Sequence, residues 1–222
     1  LDDSDMRDAK KGQFFLTEPQ RSMANNSSVY NEKPPADVLM DEWIALAKSG
    51  TGERGIFNRG GLKKQLPERR WKIFKKGWQT SGSNPCGEIV LKSKEFCNLS
   101  EVVARAEDTE KTLLRKVKIA TILGTYQSTL TNFLYLSKDW KKNCEEERLL
   151  GISITGQWDC SALFKDDGKI LNKLKECAIQ VNKEYAKRFG INSSASITCV
   201  KPSGTVSQLV DASSGLHPRY AP

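Results

Sequence analysis

The sequence contains a single histidine, His217, and none of its six cysteines sits in a C-x-x-C pair. That removes the ligand spacing of a common Cys/His zinc site, so no metal-binding residue is assigned. No run approaches the roughly eighteen apolar residues that a membrane-spanning helix needs. No basic-then-apolar leader opens the chain, which starts at Leu1 with Asp2, Asp3 and Asp5 close behind and stops at Pro222 in a loop-like stretch. The expectation is therefore an interior or processed piece of a longer polypeptide, with nothing to direct secretion. Without secretion, Cys86, Cys97, Cys144, Cys160, Cys177 and Cys199 read as reduced thiols in the cytoplasm rather than as disulfides. Asn98-Leu99-Ser100 then carries no meaning as a glycosylation acceptor.

What is present describes an ordinary globular composition: 222 residues, 38% hydrophobic and 28% charged, with a net charge of +8. This excludes a disordered chain. The positive charge favours anionic partners without naming one. No internal repeat, low-complexity tract or domain boundary is visible, so 1–222 is read as one unit.

Periodicity gives the organisation. Pro34-Pro35 opens a helix whose stripe of Val38, Leu39, Trp43, Ile44 and Leu46 ends near Ser49-Gly50. A long amphipathic helix is expected from about Thr109 to Leu136, with Leu113, Val117, Ala120 and Leu123-Gly124 on one face. Another runs from about Lys169 to Phe189 with Gly190 closing it. Leu149 to Ile154 and Ser196 to Val200 read as short buried strands, and residues 80–98 as a loop. Strands alternating with helices imply α/β units around a parallel sheet or barrel.

Four stretches could carry chemistry. Gly50-Thr51-Gly52-Glu53-Arg54-Gly55 matches the dinucleotide pattern G-x-G-x-x-G by letter, but it follows a helix where the fingerprint must follow a strand, so it reads as a turn. The basic stretch 63–78, with Trp71, Phe74 and Trp78, could bind nucleic acid, yet no nucleic-acid module surrounds it and a solvated basic face anchored by aromatics is preferred. Lys201-Pro202-Ser203-Gly204-Thr205-Val206-Ser207 takes a strand into a helix start. That arrangement either cradles phosphate with backbone N–H groups or merely caps the helix. Asn84-Pro85-Cys86-Gly87-Glu88-Ile89 places an amide, a thiol and a carboxylate at alternating positions, which an extended or tight-loop backbone projects to one side. The alternative is a surface turn with an incidental cysteine.

The segments 84–89 (NPCGEI) and 96–102 (FCNLSEV) together resemble the active-site region of ribonucleotide reductases, and in particular the monomeric adenosylcobalamin-dependent ribonucleoside-triphosphate reductases. Residues 149–158 (LLGISITGQW) and 199–221 (CVKPSGTVSQLVDASSGLHPRYA) look like later blocks of the same enzymes, and 23–30 (MANNSSVY) and 55–60 (GIFNRG) like earlier ones. The resemblance implies part of a ten-stranded α/β barrel threaded by a finger loop with the radical cysteine at its tip. It matches Cys86 to that cysteine, Glu88 to the carboxylate that takes the 3′-hydroxyl proton, Asn84 to the amide that holds the sugar hydroxyls, and Cys97 to one of the two reducing cysteines. Pro202, Ser203, Gly204, Thr205, Val206 and Ser207 match the loop that binds substrate phosphates. Adenosylcobalamin as cofactor, a ribonucleoside triphosphate as substrate, a deoxynucleotide effector bound outside this stretch and a thioredoxin-like reductant are implied with it.

The short interval from Cys86 to Cys97 fits the cobalamin enzymes better than the iron-dependent class. The second reducing cysteine is expected upstream of Leu1 and a shuttle pair beyond Pro222. Cys144, Cys160, Cys177 and Cys199 match no catalytic position, and His217 is assigned to a loop. A barrel cut on both sides exposes strand edges, so the piece alone is expected to fold poorly and to be inactive. A non-catalytic reductase remnant and a basic nucleic-acid-binding segment are the alternatives.

Overall fold

The structure is a computed structural model that describes residues 4–165 and 167–219. Tyr220 and Ala221, at the end of the last block quoted above, lie outside the described residues. Two short helices, α1 (Ser4–Asp8) and α2 (Phe14–Thr17), lead into β1 (Ser27–Tyr30), α3 (Ala36–Ser49) and β2 (Gly55–Asn58). The strands β1 and β2 pair in parallel from Ser27↔Gly55 to Tyr30↔Asn58. The G-x-G-x-x-G stretch is the turn between α3 and β2, with Gly50 and Gly52 both at positive φ.

The helix α3 begins and ends where the sequence placed it, but the expected apolar stripe is not its buried face. Val38, Trp43 and Ile44 are exposed, while Glu42 is fully buried. Glu42 Oε1 accepts from Ser28 Oγ at 2.5 Å and from Arg54 Nε at 2.6 Å. A buried carboxylate persists only with such partners, so a charge cluster seats this helix where an apolar seam was expected.

Next come α4 (Leu62–Gln65) and α5 (Glu68–Phe74), then the two-residue strands β3 (Gly82–Ser83) and β4 (Val90–Leu91). These last two pair antiparallel, Ser83 opposite Val90, so the expected loop 80–98 holds a small hairpin.

The main body follows: β5 (Asn98–Val103), α6 (Glu110–Gln127), α7 (Lys138–Glu147), β6 (Leu150–Thr155), α8 (Lys169–Phe189) and α9 (Thr205–Leu209). The strands β5 and β6 run parallel, from Asn98↔Leu150 to Val103↔Thr155. Residues 196–199 lie along the other edge of β6: Leu150 N donates to Ser196 O at 3.0 Å, and Cys199 N to Ile152 O at 3.1 Å. The buried strand expected at 196–200 is thus present only as an isolated bridge, Ile152↔Thr198. Covered on both faces, β6 is buried nearly throughout, its polar Ser153 and Thr155 included.

One face of this sheet holds the core. Val102, Leu150, Ile152 and Ile197 pack there against Leu113, Val117 and Ala120 of α6 and Ile170, Leu174 and Ala178 of α8. The start of α6 is a reciprocal cap, Thr112 N donating to Thr109 Oγ1 and Thr109 N to Thr112 Oγ1. It ends at Gln127, well short of the expected Leu136. Ser128 donates its hydroxyl back to Thr125 O, and its own carbonyl accepts from Arg148 Nη1 at 2.6 Å, so a side chain occupies the acceptor that the next turn would use. Leu123, expected on the buried face, is exposed. The helix α8 matches the expected span, with Gly190 at positive φ after its last turn. The helix α7 has no counterpart in the expectations. Its buried residues are Cys144 and Glu147; Trp140 is half-buried and stacks on Phe96 at 4.6 Å, and the rest is charged or polar.

The other sheet face carries Gly151, and the 84–89 loop and residues 199–201 sit over it. A Cβ on Gly151 would lie 2.5 Å from Leu99 Cδ2, 3.1 Å from Cys199 Sγ and 3.2 Å from Ile89 Cδ1. This position therefore sets how closely the loop and the cysteines approach the sheet.

Candidate active site

The loop between β3 and β4 is closed by its own backbone. Gly87 N donates to Asn84 O at 3.0 Å, with Gly87 at φ 81°, and Asn84 N donates to Ile89 O at 3.0 Å. Asn84 Oδ1 accepts from Ile89 N, also at 3.0 Å. Residues 84–87 therefore form a tight turn instead of an extended run, and one end of the Asn84 amide braces it. The Nδ2 end is left to meet other groups.

What draws the thiol and the carboxylate together is a lysine. Lys201 Nζ lies 3.3 Å from Cys86 Sγ and 3.1 Å from Glu88 Oε1. Cys86 is exposed, while the Glu88 side chain retains 5% of its exposure. Neither Glu88 oxygen accepts a well-directed hydrogen bond among the described residues, so Lys201 is its one close countercharge. Burial opposes the Lys201 charge, but Glu88 and Cys86 outweigh it and raise the ammonium above its ordinary range.

Cys97 precedes β5 and packs, with Cys199, against Ile89 and Leu149. Burial, reinforced by Cys199, pushes the Cys97 thiol far up; burial and then Glu88 push Cys199 up to about 11. Both sulfurs stay protonated at neutral pH. Cys199, read from sequence as an ordinary thiol, therefore borders the same cluster. Cys144 and Cys160 are buried and Cys177 is half-buried; Cys144 Sγ accepts from Phe96 N at 3.3 Å, beside Cys97. His217 is exposed in a loop, its N–H donating to Ser214 O at 2.8 Å.

The 202–207 loop continues from Lys201 into α9. Pro202, Gly204, Thr205 and Val206 are exposed; Ser203 and Ser207 are buried. Ser207 Oγ is held internally, 2.6 Å from Gly204 O and 2.8 Å from Ser214 Oγ. Ser203 Oγ has no hydrogen-bond partner among the described residues. The first-turn amides of a helix have no intrahelical acceptors, so the loop can meet an anion with N–H groups and one free hydroxyl.

The basic stretch 63–78 is tied into the body. Arg70 is buried, its Nε 3.0 Å from Glu147 Oε2, and Arg69 Nε donates to Ala195 O at 3.0 Å. Phe74 is fully buried. The cations available to a phosphate backbone are correspondingly fewer than the sequence implied. No group of three or more His, Cys, Asp and Glu side chains among the described residues is arranged to hold a metal ion. No helix among them is long and apolar enough to cross a membrane.

Lys201, which heads the 201–207 stretch, and Ser153, whose Oγ accepts from Lys201 N at 2.9 Å, have no role assigned from the sequence. The available signal was register: in the 196–201 run, positions 199 and 201 share a face, and 199 is a cysteine.

No family model matches the chain. A curated adenosylcobalamin-dependent ribonucleoside-triphosphate reductase of Lactobacillus delbrueckii subsp. bulgaricus is 32% identical over 169 residues, 63% of this chain and 22% of that protein. Proteins of the same description from Lactobacillus helveticus and Lactobacillus gasseri are each 28% identical, over 90% and 97% of this chain and 29% and 31% of theirs. A crystal structure of a B12-dependent (class II) ribonucleotide reductase superposes on 99% of this chain and 33% of its own, with a TM-score of 0.67 and 25% identity. The chain spans less than a third of the length of these curated relatives. The expected fold class, α/β and part of a reductase barrel, holds on this match, while the strands described here form three two-stranded sheets and do not close a barrel by themselves.

Proposed function

We propose that this chain, a relative of the adenosylcobalamin-dependent ribonucleoside-triphosphate reductases, is the portion of such an enzyme that carries the radical loop and the substrate-phosphate loop. The observation that carries the reading is the meeting of Cys86, Glu88 and Lys201 directly beside the 202–207 loop. The loop sequences alone could have been scattered; folded, the 84–89 loop and residues 199–201 lie over one face of the sheet.

In this reading a ribonucleoside triphosphate lays its phosphates on residues 202–207. The amides of Thr205, Val206 and Ser207 and the unpartnered Ser203 hydroxyl face the anion. The sugar then lies toward the 84–88 loop. When adenosylcobalamin is bound, homolysis of its carbon–cobalt bond supplies the radical. This chain fits that role at one atom, the Cys86 sulfur, which is exposed and open to a radical source.

The Cys86 thiyl takes the 3′ hydrogen atom from the ribose, becoming a thiol. Glu88 takes the 3′-hydroxyl proton on a carboxylate oxygen, and the Asn84 amide nitrogen holds a sugar hydroxyl. The 2′-hydroxyl takes a proton from the reducing cysteines and leaves as water. Cys97 and a second cysteine from outside this chain give up two electrons and close a disulfide, and Cys86 returns the hydrogen atom to the 3′ carbon. The high thiol pKa of Cys97 keeps it protonated until that step. A thioredoxin-like reductant reopens the disulfide, and a deoxynucleotide effector binds elsewhere on the full protein, which works in the cytoplasm. On this reading turnover belongs to the full-length protein, in which Cys97 meets its partner cysteine.

The test is turnover by the full-length protein supplied with adenosylcobalamin, a dithiol and a ribonucleoside triphosphate. The wild type makes deoxynucleotide and Cys86→Ser makes none; a Cys86→Ser protein that still turns over overturns the assignment.

A further inference from the structure

We propose that Lys201 is a positioning residue that docks the Cys86–Glu88 loop onto the strand feeding the 202–207 loop, setting the thiol and the carboxylate side by side. The inference rests on the reductase reading for its catalytic consequence, but the docking itself stands on geometry. Lys201 starts from a fixed point: its N–H donates to Ser153 Oγ at 2.9 Å, and its carbonyl accepts from Ser203 N at 2.9 Å. Behind it, a Cβ on Gly215 would come within 2.7 Å of Lys201 O, so residue 215 must be bare for the 213–217 segment to lie there.

From that anchor the side chain crosses to another element. An ammonium has three donors. Here one is directed toward Cys86 Sγ at 3.3 Å, and the same nitrogen lies 3.1 Å from Glu88 Oε1. The Glu88 carboxylate is almost wholly buried and has no other close cation among the described residues, so removing Lys201 leaves a charge in a dry site with no described cation opposite it. The titratable groups that the ammonium faces are Glu88 and Cys86 on the loop and Cys199 on its own strand. Because the anchor and the phosphate loop are contiguous, Lys201 also fixes the distance between the place where phosphates bind and the place where the sugar reacts.

Two readouts on the full-length protein test this: amide hydrogen exchange over residues 84–89 without substrate, and steady-state kinetics with a ribonucleoside triphosphate. Lys201→Met speeds exchange at 84–89 and leaves the rest of the chain as it was. It lowers kcat by about 100-fold, the scale of a 1 Å misplacement. KM stays within about twofold, since the phosphate contacts remain. Lys201→Arg, which can reach both partners, restores at least about a tenth of the wild-type kcat. Wild-type exchange at 84–89 in Lys201→Met overturns the proposal, as does faster exchange spread over the whole chain. A raised KM with unchanged kcat also overturns it, because Lys201 would then bind phosphate. A wild-type protein that makes no deoxynucleotide sinks the reductase reading alone, and the exchange comparison still decides the docking.

Discussion

Glu95→Gln tests the electrostatics beneath the loop. Glu95 is buried beside Glu147, and the two carboxylates converge on Arg70, 4.0 Å from Glu95 and 3.0 Å from Glu147. Burial first and the Glu147 charge second raise the Glu95 carboxyl from 4.5 to about 8. The folded state therefore holds a proton on Glu95 that the unfolded chain releases near pH 4.5. The stability contributed by that proton is complete below pH 4.5 and is lost as pH rises toward 8. At about 1.36 kcal/mol per unit, the loss between pH 5 and pH 8 is roughly 3 kcal/mol. Glutamine keeps an oxygen for the Lys92 N–H that now donates to Glu95 Oε2 at 2.7 Å, and it has no charge to desolvate. Urea unfolding of the wild type and the variant at both pH values gives the difference directly, since groups common to both cancel. The two proteins should be close at pH 5, and the variant should be more stable at pH 8. A stability difference that does not move between the two pH values, or a variant less stable at pH 8, refutes the reasoning.

Other substitutions probe separate contacts. Glu88→Gln removes the first cause that holds the Lys201 pKa up, so burial dominates and the ammonium titrates lower; NMR of isotopically labelled lysine side chains reads this, and an unmoved Lys201 contradicts the contact. Gly156 and Gly168 both have positive φ, but a Cβ at 156 would lie 2.5 Å from Ala104 O, whereas at 168 nothing lies within 4 Å. Gly168→Ala should cost about 1–2 kcal/mol of backbone strain. Gly156→Ala should cost about 1–3 kcal/mol more from the clash, and equal thermal shifts would contradict this. Thr109→Ala removes half of the reciprocal cap on α6 and should cost about 1 kcal/mol in denaturant unfolding; no loss would mean the cap is idle.

The elements legible in the sequence are those whose burial is apolar and periodic. The helix α8, the strand β6 and the turn at Gly50 follow from spacing alone. Elements seated by charge were missed or misread. Glu147, with Cys144, is buried in α7 and Glu42 is buried in α3, and periodicity scores both carboxylates as surface. The end of α6 was misplaced because Arg148, far along the chain, takes the Ser128 carbonyl. At the site, the residues of the 84–89 loop were readable as chemistry, and the resemblance to a reductase family gave them roles. Their grouping was not readable, because it comes from a lysine more than a hundred positions away whose partners only the fold supplies.

Isotope discrimination at the ribose 3′ carbon tests the central claim most directly. The full-length protein, loaded with adenosylcobalamin and pre-reduced, is given ribonucleoside triphosphate carrying hydrogen or deuterium at that carbon and followed through a single turnover. The account predicts slower deoxynucleotide formation from the deuterated substrate and no product at all from Cys86→Ser. Equal rates from both substrates, or product from Cys86→Ser at the wild-type rate, would contradict it.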